Sequence, residues 1–261
     1  MPSRALRMLG AAALVVGFTA ASGVGEARSG ERAAAGPRHR VLLVGDSLMG
    51  NTVPQLEEPL ADAGWDVVLV DAHANGTGVL GPVGDAPDSL TYVEQQLERH
   101  PRVDTVVIEW AGACATCGQT DPAYGSDAFY AAWRAGAHAI IDFLHRTRTP
   151  RGARLHVLWV KSPPMPEAAG DSATYQLREA VARELASIDA TELGPAAGPV
   201  TPDWYEALAD TSMQYEESLS YGGGTHRVRA DDLVHLTADG ARRTARWTAA
   251  ALAAVWTRPR S

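Results

Sequence analysis

Val41-Leu42-Leu43-Val44-Gly45-Asp46-Ser47 decides how this chain folds. Four consecutive apolar residues without alternation mark a strand covered on both faces within a parallel sheet. Gly45 ends the run in a turn, so the next side chains emerge at the carboxyl end of the strand, where open α/β sheets bind their ligands. Ser47 is therefore the candidate nucleophile. Far downstream, Asp232-Leu233-Val234-His235 supplies what a serine hydroxyl lacks. An imidazole takes the hydroxyl proton and a carboxylate fixes the imidazole tautomer, so Ser47, His235 and Asp232 form a chemically sensible unit. Asp231 adjoins the acid, but the three-residue spacing to His235 favours Asp232.

Outward from this run, β-branched stretches alternate with longer amphipathic ones, the pattern of βαβ units around a parallel sheet. Strands are expected over residues 40–45, 66–71, 105–109 and 155–161, and helices over 53–63, 89–99, 126–146, 174–187 and 238–257. In the last helix Ala241, Ala245, Trp247, Ala250, Leu252 and Val255 form an apolar face, with Thr237 as N-cap. Residues 191–230 are broken by Gly194-Pro195, Gly198-Pro199, Thr201-Pro202 and Gly222-Gly223-Gly224, and read as loop. Their Trp204, Tyr205, Tyr215 and Tyr221 either line a substrate cleft or pin the loop to the core.

A length of 261 residues suits one larger α/β domain. The formal charge of −8, with Lys161 the sole lysine and no basic face recurring along a helix, argues against nucleic acid as a partner. At the N-terminus Arg4 and Arg7 precede a small-apolar run ending near Ala21 and a small-x-small site at Gly25-Glu26-Ala27. This reads as a signal peptide over residues 1–27, followed by a flexible leader over 28–38 and the folded domain over 39–261. Secretion to the bacterial cell-envelope exterior, with no stable membrane span after cleavage, is the expectation. The oligomeric state is not encoded in any pattern we recognise.

Beyond these residue-level readings, the chain resembles the SGNH family of serine hydrolases, the GDSL esterases and lipases, from about residue 40 to residue 250. The resemblance rests on Gly45-Asp46-Ser47-Leu48, on Ala74-Asn75-Gly76-Thr77 after the second strand, and on Asp232 to His235 before the last helix. It implies a three-layer α/β/α sandwich with a central parallel sheet of about five strands, SGNH/flavodoxin-like. It also implies cleavage of a carboxylic ester through an acyl-enzyme on Ser47, with the N–H groups of Ser47 and Gly76 holding the oxyanion. The substrate class is a small-molecule, glycan or lipid ester, and no cofactor or metal is implied. One block departs from the family pattern. After the third strand the family carries Gly-x-Asn-Asp, whereas this chain reads Trp110-Ala111-Gly112-Ala113-Cys114. Gly112 keeps the glycine, but Ala113 or Cys114 stands where the oxyanion Asn belongs, and neither is a good donor. Loss of one such donor costs on the order of 10²–10³ in turnover. Gly112 and Asn75 are candidates for oxyanion support, with Thr116 and Gln119 as further substitute donors. The departure keeps two alternatives open: an acyltransferase built on the same site, and a catalytically inactive extracellular module that binds carbohydrate or lipid.

Cys114 and Cys117 are the only cysteines, and their C-x-x-C spacing fits a disulfide, a redox pair or half a metal site. Export favours the disulfide. Zinc needs two more ligands at suitable spacing, which the chain does not offer. Asp46 reads as a scaffold residue whose carboxylate ties loop N–H groups. Glu109, ending the third strand, either faces the site or bonds the backbone. His73, His100, His138, His145 and His156 read as surface or half-buried residues rather than bases.

Overall fold

The computed structural model describes residues 38–110, 126–164, 202–210 and 214–257. Four strands, β1 (His39–Gly45), β2 (Val67–His73), β3 (Thr105–Glu109) and β4 (His156–Trp159), pair in the order β2-β1-β3-β4, every pair parallel. The order reverses at β1, with β2 on one side and β3 on the other. The crevice at the carboxyl ends of β1 and β3 is thus the topological switch point, the place where such sheets hold ligands.

The helices are α1 (Ser47–Thr52), α2 (Glu57–Asp62), α3 (Ser89–Arg99), α4 (Asp127–Arg146), α5 (Trp204–Leu208) and α6 (Ala238–Trp256), with a 3₁₀ turn over Val53–Gln55 between α1 and α2. Because successive strand side chains point to opposite faces, the apolar run of β1 builds two cores at once. Leu42 and Val44 join Val106 and Ile108 beneath α3 and α4, against Val93, Trp133 and Ile140. Val41 and Leu43 join Val107 and Leu158 on the other face, against Met49, Leu56, Trp204, Ala245 and Leu252. Two helical layers over one sheet make an α/β/α sandwich. No helix among the described residues is long and apolar enough to cross a membrane.

Several expectations need correction. The helix expected over 53–63 begins earlier, at Ser47, and is interrupted where Pro54 at the head of the 3₁₀ turn cannot donate to the α-helical ladder. Residues read as loop near 204–227 contain α5 and an antiparallel hairpin, β5 (Ser218–Tyr221) with β6 (Gly224–Arg227). Its two-residue connection, Gly222-Gly223, has both φ angles positive (59° and 82°), the geometry of a tight hairpin turn. The helix expected over 174–187, the signal peptide, nearly all of the leader, and Gly112, Ala113, Cys114, Cys117, Thr116 and Gln119 lie outside the described residues.

Candidate active site

Ser47 opens α1 directly beyond β1. Asp46 caps the helix, its Oδ1 accepting from the Leu48 N–H at 2.7 Å. The turn has no spare room: a Cβ on Gly45 would stand 2.6 Å from Met49 Cβ and 2.8 Å from the Glu109 carbonyl oxygen. Only glycine lets β1 and β3 end side by side while the chain turns into α1.

His235 and Asp232 arrive from the segment joining β6 to α6. Asp232 Oδ1 accepts from the backbone N–H groups of Val234 (3.0 Å) and His235 (2.9 Å), while Oδ2 meets His235 Nδ1 at 2.5 Å. His235 Nε2 lies 2.8 Å from Ser47 Oγ. With Nδ1–H donating to Asp232, Nε2 is left to accept the Ser47 hydroxyl proton. The hydrogen bond from His235, reinforced by the two backbone N–H groups, lowers the Asp232 pKa from 3.8 to about 2. The carboxylate is therefore charged at neutral pH, although both side chains remain about half exposed.

The loop carrying this pair is over-determined. Leu233 takes a φ of 65°, the one non-glycine positive value among the described residues. That conformation costs about 1–2 kcal/mol for such a side chain and persists only where neighbours impose it. Those neighbours are identifiable. Tyr215 Oη donates to the Leu233 carbonyl at 2.9 Å, and the Ala230 N–H donates to the His235 carbonyl at 2.9 Å. Arg229, fully buried, donates one guanidinium N–H to the Val234 carbonyl at 2.7 Å and another to the carbonyl of Pro164, just past β4. Burial lowers its pKa to about 10, so it stays cationic at neutral pH. Its guanidinium also lies over the Tyr215 ring, 5.4 Å from the centroid. Asn51 Oδ1 accepts from the Leu236 N–H at 3.0 Å, tying α1 to the loop that carries His235.

Sequence reasoning named Ser47, Asp232 and His235, and the structure brings the three together. It missed Arg229, Asn51 and the role of Tyr215. An arginine whose value lies in two backbone carbonyls leaves no motif. Asp231 points elsewhere, to Arg227 at 2.6 Å. Gly76 follows β2 at φ 69°, in a turn where Thr77 Oγ1 donates to the Ala74 carbonyl at 2.6 Å and accepts from Trp110 Nε1 at 3.2 Å; Asn75 in the same turn is exposed. His73, ending β2 beside Gly45, is paired with Asp71 at 2.7 Å. Three of the four aromatics from the irregular stretch prove to be pins: Trp204 is buried with Nε1 on Thr248 Oγ1 at 2.9 Å, Tyr215 holds Leu233, and Tyr221 is sandwiched between His226 and Arg243. Two cavities among the described residues, about 240 Å³ between the hairpin and α6 and about 560 Å³ between α3 and α4, contain none of the three site residues. No group of three or more metal-ligating side chains occurs among the described residues.

With this geometry in hand, comparison with known proteins is informative. Residues 40–251 match the family described as Protein of unknown function (DUF459). The chain belongs to that family. No curated protein sequence matches it. Among solved structures, a presumed arylesterase from Agrobacterium tumefaciens is 20% identical, with a TM-score of 0.55 over 82% of this chain and 98% of that one. An aryl esterase from M. smegmatis is 15% identical, with a TM-score of 0.53 over 82% and 98%. A carbohydrate acetylesterase from Sinorhizobium meliloti is 16% identical, with a TM-score of 0.50 over 83% and 99%. At these identities the likeness is one of fold alone: this DUF459 chain shares its α/β architecture with those three proteins.

Proposed function

We propose that this DUF459 protein is an exported serine hydrolase that cleaves a carboxylic ester through an acyl-enzyme on Ser47. The observation that carries the reading is the hydrogen-bonded chain Ser47 Oγ to His235 Nε2 at 2.8 Å and His235 Nδ1 to Asp232 at 2.5 Å, at the switch point of the sheet. The esterase names borne by its structural neighbours agree with it. Ser47 Oγ attacks the ester carbonyl as its proton passes to His235 Nε2, and Asp232 stabilises the imidazolium that forms. The imidazolium then protonates the leaving alcohol, and a water deprotonated by the same imidazole attacks the acyl-serine to release the acid and free Ser47. The N–H groups of Ser47 and Gly76 hold the oxyanion in both steps, with Gly112 and Asn75 as supporting donors. A disulfide between Cys114 and Cys117 belongs to the same exported reading.

Steady-state hydrolysis of short aryl esters by the protein and by Ser47→Ala and His235→Ala tests the reading. Either variant is expected to lose kcat by roughly 10⁴-fold or more while remaining folded, the usual consequence of removing a member of such a unit. Equal turnover by Ser47→Ala would remove the nucleophile assignment. A folded protein that turns over no ester but transfers an acyl group to an added alcohol would be an acyltransferase instead.

A further inference from the structure

Glu109 is an ionisable residue whose side chain is fully buried. It ends β3 opposite Gly45, and the Asp46 N–H donates to its carbonyl at 3.3 Å. Its Oε1 faces Ser162 Oγ at 3.4 Å, too long for a good hydroxyl hydrogen bond, and its Oε2 is buried with no N–H or O–H among the described residues to accept from. The backbone places Asp46, the residue after Gly45 in the paired strand, directly beside Glu109 and brings its carboxyl within side-chain interaction reach. Two facing carboxylates with no intervening donor repel, and burial makes the repulsion worse. A single proton removes the conflict: the orphan oxygen becomes a donor and Asp46 its acceptor.

We propose that Glu109 is a positioning residue that shares one proton with Asp46 and, through that hydrogen bond, clamps the turn bearing Ser47 to the end of β3. Burial pushes the Glu109 carboxyl well above the ordinary carboxylate range, and the Asp46 charge pushes it the same way. Burial also raises Asp46, opposed by the hydrogen bonds it makes to Glu109 and Leu48 and by His235 and His73, the nearby titratable groups on the 231–236 loop and on β2. From beyond the end of β4, the neutral Ser162 hydroxyl is the group among the described residues that faces Glu109. The clamp leaves Asp46 Oδ1 to cap α1 at the Leu48 N–H, so one carboxylate orients both the helix and the nucleophile on its first turn. It gives a buried acid a role in the site without any contact with the reacting atoms, and the catalytic consequence rests on the hydrolase reading above.

Infrared difference spectroscopy at neutral pH, comparing the protein with Glu109→Gln, reads the proton directly. The expected result is a protonated-carboxyl C=O band, sensitive to H/D exchange, that is present in the parent and absent in Glu109→Gln. Absence of that band from the parent overturns the proposal. In parallel, glutamine, whose amide N–H donates to Asp46 as the shared proton does, is expected to keep kcat within about threefold, whereas Glu109→Leu lowers kcat at least tenfold with KM unchanged. A Glu109→Gln variant that folds yet is as impaired as Glu109→Leu also overturns it. Should Glu109→Leu fail to fold, the band and the glutamine variant still decide. The band is independent of turnover, so a protein that shows it but hydrolyses nothing refutes the esterase reading and leaves the shared proton standing.

Discussion

Asp232 sets the first prediction at the scale of single residues. Its lowered pKa, caused chiefly by the His235 hydrogen bond, means that the folded state holds the carboxylate ionised to about pH 2. The sign follows from linkage: the stabilisation is complete above the ordinary value of 3.8 and fades as pH falls from there toward 2. Acid denaturation monitored between pH 5 and about 2 should therefore show a loss of stability in the parent that is reduced in Asp232→Asn, and a superimposable acid profile would contradict the assignment. The asparagine variant should also lose kcat by about 10⁴-fold, because its amide favours the wrong imidazole tautomer. Leu233 provides a second test. Asparagine tolerates left-handed backbone better than leucine, so Leu233→Asn should match or exceed the parent in Tm. A clear fall in Tm would show that the leucine side chain, not the backbone, is what the loop needs.

Elements, rather than residues, decide whether those side chains meet. Arg229 fastens the 231–236 loop to the end of β4 with a fork of two N–H donors, a shape that lysine cannot copy. Arg229→Lys should lower kcat by about ten- to a hundredfold and cost roughly 1.5–3 kcal/mol of stability, the scale of one hydrogen bond to a charged group, read by urea denaturation and by steady-state kinetics on the folded fraction. Gly240, in the first turn of α6, is a second constraint, because a Cβ there would stand 2.2 Å from the Val228 carbonyl oxygen. Gly240→Ala must push α6 off the strand that delivers Arg229, at a cost of about 1–3 kcal/mol. These features also mark the limit of sequence reading. The strand before Ser47 and the three-residue spacing of Asp232 and His235 were legible because each is a local pattern with a chemical reason. The start of α1 was not, because Pro54 invites a helix to begin at Val53 whereas Asp46, a residue before the nucleophile, is the actual cap. The hairpin had a signal that was passed over, two glycines between short β-prone runs. Arg229 had none, since its partners are carbonyls brought near by tertiary structure.

Across the whole molecule the sheet separates chemistry from stability. Its carboxyl edge carries Ser47, Glu109 and the loop of His235. Its amino edge carries an aromatic cluster: the His39 ring is stacked on Trp256 with centroids 4.1 Å apart, Trp65 packs edge-on to both, and Trp256 Nε1 donates to Thr105 Oγ1 at 3.0 Å. Trp256→Ala should cost about 3–5 kcal/mol, or somewhat less given partial exposure, while leaving kcat of the folded protein unchanged. A fall in kcat with intact folding would show that the two edges are coupled. The parallel α/β sheet was legible from alternating apolar runs and the sandwich from the family resemblance, whereas residues 111–125, which carry the departure from the family's third block, lie outside the described residues. The central claim is that Ser47 is a nucleophile activated by His235. Mass-spectrometric mapping of a fluorophosphonate probe on the protein, on Ser47→Ala and on His235→Ala tests it most directly. The account predicts a single adduct on Ser47 that is lost in Ser47→Ala and strongly slowed in His235→Ala; a folded protein that takes no label, or takes it on another serine, would contradict it.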